Sequence, residues 1–511
     1  MKSTDITLIG SGTAATVTLI QLFQKLKNDP EKQPKPRILV IEKSEELWTG
    51  VPYGYRSSIN SLIITSVHDF INEEEKPEFY SWFQGDLADW VPFYKKNGGE
   101  VAERWLQANL NWIETSQWEK IYIPRSIYGR YLKHKVNKLL EEGKKLNLAD
   151  FSTIKAEVTD IKPLEDGNYE ITVESQEGIL SKLVTKKVVV ATGSAPVRKI
   201  CSLEDGPVLY INDIYEPSID KNLETIRKTL NNTSVDKDRN ILFIGSNASV
   251  IEMIYLMEGD STLSRLINNI TLVSPSGALP HPTAEETLSE HPLPNLDKLS
   301  TAGSYDIDSL VDAATEEIRL AMVGGAHMDY VATIIGTTLK MLESLSEDDQ
   351  RAFIAIHAIR LRNQFRRAGS EYIRAVRIME NLNKLKILKG KFQKMVPSEH
   401  GVSLQYEAAD SGSAITHPLA FPVVINCTGS DDLNISASRL LYNLINNKIC
   451  RMNLSRKGIE VNEHFEAAPH LYIFGPLLGG NKNKLIHFWQ LENAARLTGL
   501  SPHLADELLA N

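Results

Sequence analysis

The chain has 511 residues, 42% of them hydrophobic and 24% charged, which is globular composition and excludes a disordered or fibrous polymer. Lys and Arg number 56 against 65 Asp and Glu; the formal charge of −9 gives no reason to expect nucleic acid or an anionic membrane as partner. Three cysteines, Cys201, Cys427 and Cys450, with no C-x-x-C pair, argue against a disulfide framework, a cysteine zinc site and a dithiol redox centre. The length suits two or three domains. The chain enters a strand almost at once, which leaves no room for a signal peptide, and no apolar run approaches the ~20 residues that span a bilayer. A cytoplasmic protein is expected.

Ile6-Thr7-Leu8-Ile9 reads as a strand buried on both faces. Gly10-Ser11-Gly12-Thr13-Ala14-Ala15 follows, then a helical stripe of Ala15, Leu19, Leu22 and Leu26, then a second apolar run, Ile38 to Ile41, ending at Glu42. This is the βαβ dinucleotide fingerprint in its G-x-G-x-x-A form. Gly10 permits the tight turn, Gly12 lets the backbone approach a pyrophosphate, and Ala15 stays small where helix meets strand. The helix N-terminus offers free N–H groups to phosphate. Glu42 is placed to accept hydrogen bonds from an adenosine ribose and would repel a 2′-phosphate, so the site suits FAD or NAD. The polar stretch Lys27 to Arg37, with Pro30, Pro34 and Pro36, reads as a surface insertion between helix and strand.

Further on, the strand Lys187 to Val190 runs into Ala191-Thr192-Gly193, and a near-copy, Val423 to Cys427, runs into Thr428-Gly429. Between them, Ile241 to Ile244 leads into Gly245-Ser246-Asn247 and a second helical pattern, followed by the strand Ile270 to Val273. The third position of this turn is Asn247, whose side chain would crowd a pyrophosphate where glycine is wanted. The strand after it ends Ser274-Pro275-Ser276, with neither an acid for NAD nor an arginine for NADP.

These features resemble flavoproteins with two dinucleotide-binding domains, related to flavin monooxygenases and pyridine-nucleotide reductases, and are most similar to the bacterial FAD-NAD(P)-binding family. Trp48-Thr49-Gly50-Val51-Pro52-Tyr53-Gly54, Tyr122 to Leu132 and Leu471-Tyr472-Ile473-Phe474-Gly475-Pro476 carry the closer match. The resemblance implies an α/β fold of two Rossmann-like (FAD/NAD(P)-binding) domains with a helical insertion. The FAD domain would comprise residues 1–200 and 415–511, the NAD(P)-like domain 205–280 and 387–414, and the insertion 281–386. It implies FAD along Gly10, Gly12, Thr13, Ala14 and Ala15 with Glu42 at the ribose. Loops carrying Pro52, Tyr53 and Arg125 would border the flavin, with Thr192, Gly193, Gly475 and Pro476 near it. A helix from about Lys484 would point its N-terminus at the ring. Gly245, Ser246, Asn247, Thr428 and Gly429 would form the NAD(P)H side, where Asn247 makes docking an open question.

Arg360, Arg362, Arg366, Arg367, Arg374 and Arg377 cluster within the insertion, as an anion-binding lid or as a solvated helix face. His281, His487 and His68 are candidate acid–base groups, each with a purely structural alternative. Gly480 to Lys484 would supply amide and ammonium groups near the flavin, or simply begin a helix. No metal-ligand spacing, P-loop or serine-nucleophile motif occurs. The expected activity is that of an FAD-dependent oxidoreductase, an NAD(P)H-using monooxygenase acting with O2 on a small polar metabolite such as an amine. The alternatives are a flavin oxidase or dehydrogenase that ignores NAD(P)H, and a non-catalytic flavin-binding redox sensor.

Overall fold

In the computed structural model, residues 3–31, 34–201, 208–282, 292–323, 328–364, 366–435, 437–491 and 493–510 are described. The first apolar run forms β1 (Thr4–Ile9), the fingerprint helix is α1 (Thr13–Asn28), and the second run is β2 (Arg37–Glu42). Short helices α2 (Gly50–Tyr53) and α3 (Val67–Phe70) precede α4 (Lys76–Glu114), which breaks at Gly99 with φ 58°. Then come α5 (Arg125–Lys145), β3 (Asp150–Lys155), β4 (Glu157–Pro163), β5 (Tyr169–Glu174) and β6 (Leu180–Val190).

The second unit contains β7 (Leu209–Ile211), α6 (Ile219–Asn232), β8 (Asn240–Ile244), α7 (Ala248–Gly259), α8 (Ser261–Leu266) and β9 (Asn269–Ser274). After the short strand β10 (His281–Pro282) the helical layer follows: α9 (Pro294–Ala302), α10 (Ile307–Val323), α11 (Met328–Leu342) and α12 (Glu347–Ala352). It ends with a π-helical turn at Phe353–His357 and α13 (Ala358–Asn363). β11 (Arg367–Ala368), α14 (Ser370–Asn381), β12 (Leu385–Ser398), β13 (Gly401–Ala408), β14 (Ala414–Phe421) and β15 (Val423–Asn426) complete this unit. The chain closes with α15 (Arg439–Asn446), β16 (Glu466–Ala468), β17 (Leu471–Ile473), the hairpin β18 (Asn481–Lys482) and β19 (His487–Phe488), and α16 (Ala494–Leu509).

The first sheet runs β16-β17-β6-β1-β2-β3, with β4 and β5 as a meander beside β6. Its parallel heart aligns Leu8 with Val40 and with Val189, all fully buried, as expected of strands covered on both faces. The second sheet runs β14-β13-β12-β9-β8-β15-β7. Both sheets are Rossmann-like, as the resemblance implies.

Three boundaries differ from expectation. β14 and β15 belong to the second sheet, because Val423 to Asn426 pair with Ile241 to Ile244 and β14 pairs with β13, so the return to the first unit comes after residue 426 and not at 415. A fully buried four-residue strand carries no periodicity to say which sheet it joins; register decides. The helical layer is also shorter than 281–386. Its separate core of Leu296, Leu310, Ile318, Val331, Phe353 and Leu361 ends with α13, whereas Tyr372, Val376 and Met379 of α14 join the main core with α7. Finally, the last helix starts at Ala494, not near Lys484. Asn483 Oδ1 accepts from the N–H of Leu485 and Ile486 and tightens a hairpin, and Asn493 Oδ1 caps α16 by accepting from Ala495 and Arg496. Among the described residues no helix is long and apolar enough to cross a membrane.

Candidate functional site

The two glycine turns are built from the same parts. Gly10 donates its N–H to Ile41 O at 2.8 Å, and Ala191, at the end of the neighbouring strand, donates to Ile9 O at 2.9 Å. In the second sheet Gly245 donates to Val273 O at 2.9 Å, and Cys427 to Ile244 O at 2.8 Å. Both glycines take left-handed φ, 96° and 103°. A Cβ at Gly10 would lie 2.5 Å from Ala191 O, and one at Gly245 would lie 2.3 Å from Cys427 O. Each turn thus presses against the T-G strand end that the sequence pairs with it, and no other residue fits either position.

The first turn opens onto a cradle for a cofactor. Gly12 is the extended N-cap residue of α1, and a Cβ there would reach within 3.5 Å of Gly50 Cα. Thr13, Ala14 and Ala15 are buried in the first turn of α1, where helical N–H groups lack partners within the helix. Gly475 faces the same helix, 3.1 Å from the Ala14 Cβ by the same measure, with Pro476 half-buried beyond it. Around Gly193 a Cβ would meet open space. Thr192 next to it is exposed. Glu42 Oε2 accepts from Ser11 N–H at 2.7 Å and from its Oγ at 3.0 Å, and Oε1 accepts from Ser44 N–H at 2.8 Å. The carboxylate is therefore fixed at the mouth of the turn and half-exposed, with lone pairs left for ribose hydroxyls. The cradle fits the diphosphate and adenosine ribose of FAD.

The loop residues stand differently. Tyr53 is buried, its ring edge-on to Tyr128 at 4.9 Å, while Pro52 is exposed. Arg125 does not present its guanidinium to this cradle. Nε donates to Leu62 O at 2.9 Å and Nη1 to Glu252 of α7 at 3.1 Å, in a nearly buried ion pair that also takes the Tyr215 hydroxyl on Glu252 at 2.8 Å. Burial opposes the guanidinium's charge, but Glu252 and Tyr215 outweigh it and hold Arg125 firmly protonated. The pairing explains why this position carries arginine; its partner, 127 residues away, was not visible in the local pattern.

At the second turn Ser246 is buried and Asn247 is the N-cap of α7. The Asn247 Nδ2 lies 2.9 Å from where a Cβ on Gly429 would stand, so the amide fills the groove between the turn and the second T-G end beside Thr428. The six insertion arginines do not act together. Arg360, Arg374 and Arg377 are exposed. Arg366 instead reaches back to the second turn, donating from Nη1 to Asn247 Oδ1 at 3.0 Å and from Nη2 to Ser246 Oγ at 3.2 Å. Sequence reading left Arg366 undistinguished among its neighbours.

The candidate histidines are dispersed. His68 is exposed and bonded to Asp69 at 3.0 Å. His281 sits on β10 beside Arg366; its N–H donates to Arg366 O at 2.6 Å, and burial with the nearby Arg366 charge lowers its pKa. His487 lies on β19, its ring 4.4 Å from that of Phe488, with burial, Lys482 and Arg496 lowering its pKa. Arg496 covers the Phe488 ring at 4.5 Å. Trp489 of the same segment packs against the core of the helical layer. No group of three His, Cys, Asp or Glu side chains among the described residues is arranged to hold a metal.

A model of the FAD-NAD(P)-binding family matches residues 7–195. An uncharacterized protein of Mycobacterium tuberculosis is 33% identical over 516 residues, covering 99% of this chain and 95% of its own. Among solved structures, the FAD-bound cadaverine monooxygenase of Erwinia amylovora superposes with a TM-score of 0.60 at 11% identity, over 100% of this chain and 95% of that one. The Kutzneria ornithine N-hydroxylase, solved with reduced FAD, NADP+ and L-ornithine, gives a TM-score of 0.58 at 13% identity, over 99% of both chains. At such identity the structural likeness is one of fold.

Proposed function

The chain belongs to the FAD-NAD(P)-binding family, and from that premise we propose that it is an FAD-dependent monooxygenase, reduced by a nicotinamide nucleotide, that hydroxylates a small amine with O2. The observation that carries this reading is the pairing of two glycine turns, Gly10 on Ala191 and Gly245 on Cys427, each closed on its own T-G strand end. Two such turns in one chain provide for two dinucleotides, one resident and one transient. Solved proteins of the same fold include an ornithine N-hydroxylase and a cadaverine monooxygenase, which is the reason for naming an amine.

Bound FAD supplies the two-electron chemistry and the activation of O2. The chain's own groups hold and shield it. Glu42 would hold the ribose and the first turn of α1 would meet the diphosphate, with Gly475 leaving the approach beside Ala14 open. His487 is the histidine this reading assigns to proton transfer. It lies on β19 beside Phe488, and burial, then the charges of Lys482 and Arg496, favour its neutral form, whereas His68 pairs with Asp69 and the main chain of His281 is bonded to Arg366. Trp489, two residues after His487, packs against the core of the helical layer, which would shield that side of the cofactor.

The Asn247 amide in the second groove favours one other reading, an oxidase that takes electrons from its own substrate and needs no nicotinamide nucleotide. The two are separated by the visible spectrum of purified protein. A yellow protein bleached anaerobically by NADH or NADPH, and then consuming O2 with hydroxylamine formation on adding an amine, supports the monooxygenase. A flavin left oxidised by both nucleotides overturns it. Protein that purifies colourless and takes up no FAD overturns both.

A further inference from the structure

The two turns are alike in backbone and opposite in charge. In the first, the residue after Gly10 is Ser11, and its N–H and hydroxyl are both held by the carboxylate of Glu42 at the end of β2. In the second, Ser246 stands in the place of Ser11, but β9 ends in Ser274 and continues to Ser276. The hydroxyls of Ser246 and Ser274 each lie 3.4 Å from that of Ser276. Arg366 comes over this cluster from the far end of the helical layer and donates to Ser246 and Asn247, both neutral acceptors. Its Nε is buried without a hydrogen-bond partner, and among the described residues no carboxylate bonds to it. Burial and the neighbouring Arg362 both disfavour its charge, so the guanidinium is held where an anion would relieve it. Its main chain is anchored, since Arg366 O accepts from His281 N–H and β10 pairs with β11.

The chemistry of the two nicotinamide nucleotides differs at one point. A ribose diol offers hydroxyl hydrogens and is best met by a carboxylate, as at Glu42; a 2′-phosphate offers only acceptor oxygens and negative charge and is best met by guanidinium and hydroxyl donors. We propose that Arg366, with Ser246, Ser274 and Ser276, is the 2′-phosphate pocket of the second turn and makes the protein select NADPH over NADH. The arginine that the strand end lacks is supplied from about ninety residues later (Ser276 to Arg366), across the helical layer. This rests on the reading that the second turn receives a nicotinamide nucleotide.

The test is equilibrium binding to the oxidised holoprotein, followed by calorimetry or tryptophan fluorescence, with NADP+, NAD+, 2′,5′-ADP and 5′-AMP. NADP+ is expected to bind at least about tenfold more tightly than NAD+, and 2′,5′-ADP more tightly than 5′-AMP. Arg366→Ala should erase both preferences while leaving NAD+ affinity within about threefold, and Arg366→Lys should keep part of them. An unchanged flavin spectrum and melting temperature establish that the variants fold. Equal affinity of the wild type for the two nucleotides overturns the proposal, as does a parallel loss of both in Arg366→Ala, which would place the guanidinium on the shared diphosphate. In those cases flavin bleaching by nucleotide still stands, whereas failure of every nucleotide to bind or bleach removes the monooxygenase reading as well.

Discussion

Arg125 Nη1 lies 3.1 Å from Glu252 Oε1 and joins the first unit to the second through a contact in which the glutamate side chain is 1% exposed. Tyr215 donates to the other glutamate oxygen, and the Tyr372 hydroxyl and Arg125 Nε both bond Leu62 O, so one buried network ties α5, α7, α14 and the loop after α2. It thereby links the two units that carry the two glycine turns.

A buried charge left without its partner costs far more than the intact pair contributes. Arg125→Met and Glu252→Gln are each expected to destabilise the protein by about 3–5 kcal/mol, read as a lower denaturant midpoint for flavin release. The double variant Arg125→Met/Glu252→Gln should lose clearly less than the sum, since it strands neither charge. Additive losses would show that the two side chains do not interact.

The matched turns predict a functional split. A methyl group at Gly10 or Gly245 meets a backbone carbonyl at 2.5 or 2.3 Å, on top of the cost of left-handed φ, about 1–2 kcal/mol for a residue with a Cβ. Gly10→Ala is expected to yield colourless protein or to weaken FAD severely. Gly245→Ala should retain FAD and its absorption bands but lose binding of NADP+. If both variants lose flavin alike, the turns do not serve separate nucleotides.

Most of the first turn was legible because its parts lie within the stretch from Ile6 to Glu42, where spacing alone brings glycine, helix and acid together. The place of Asn247 in the second turn was legible for the same reason. Arg366 was not, because it reaches Ser246 across 120 residues of chain, and six similar arginines within eighteen positions hide which one turns inward. The assignment of Val423 to Asn426 to the wrong unit has a related cause: a fully buried parallel strand carries no periodicity, and only its pairing with Ile241 to Ile244 fixes its sheet.

Glu42 has two tasks, and substitution separates them. Its carboxylate orders the turn through Ser11 and Ser44 and, on the proposed function, would also accept from the ribose of FAD. Hydrogen bonds to a charged acceptor are worth about 1.5–3 kcal/mol, so Glu42→Ala should weaken FAD roughly 10- to 100-fold by equilibrium dialysis. Glu42→Gln keeps one acceptor oxygen and should fall between the two. A Glu42→Ala protein that binds FAD as tightly as wild type would falsify the assignment of the ribose to this side chain.

His417 predicts an acid limit on stability. It is buried on β14 with its ring 5.6 Å from that of Phe421. Its Nδ1 accepts the N–H of Leu419 at 3.3 Å, so that nitrogen must stay unprotonated, and its Nε2 is buried without a partner. Burial, and then the charge of Lys386, lower its pKa below the ordinary histidine value. In the unfolded chain the ring takes up a proton as pH falls through about 6.5, whereas in the folded protein it does so only at lower pH. Over that interval the unfolded state binds more protons, so stability drops with falling pH and levels off only below the folded pKa, with a slope of up to about 1.4 kcal/mol per pH unit for this group. His281 and His487 add to the slope in the same direction, since their pKa values are lowered too. Denaturant midpoints measured between pH 7.5 and 5 should fall for the wild type and fall less steeply for His417→Gln. Identical slopes for the two proteins would show that His417 is protonated as readily in the fold as outside it.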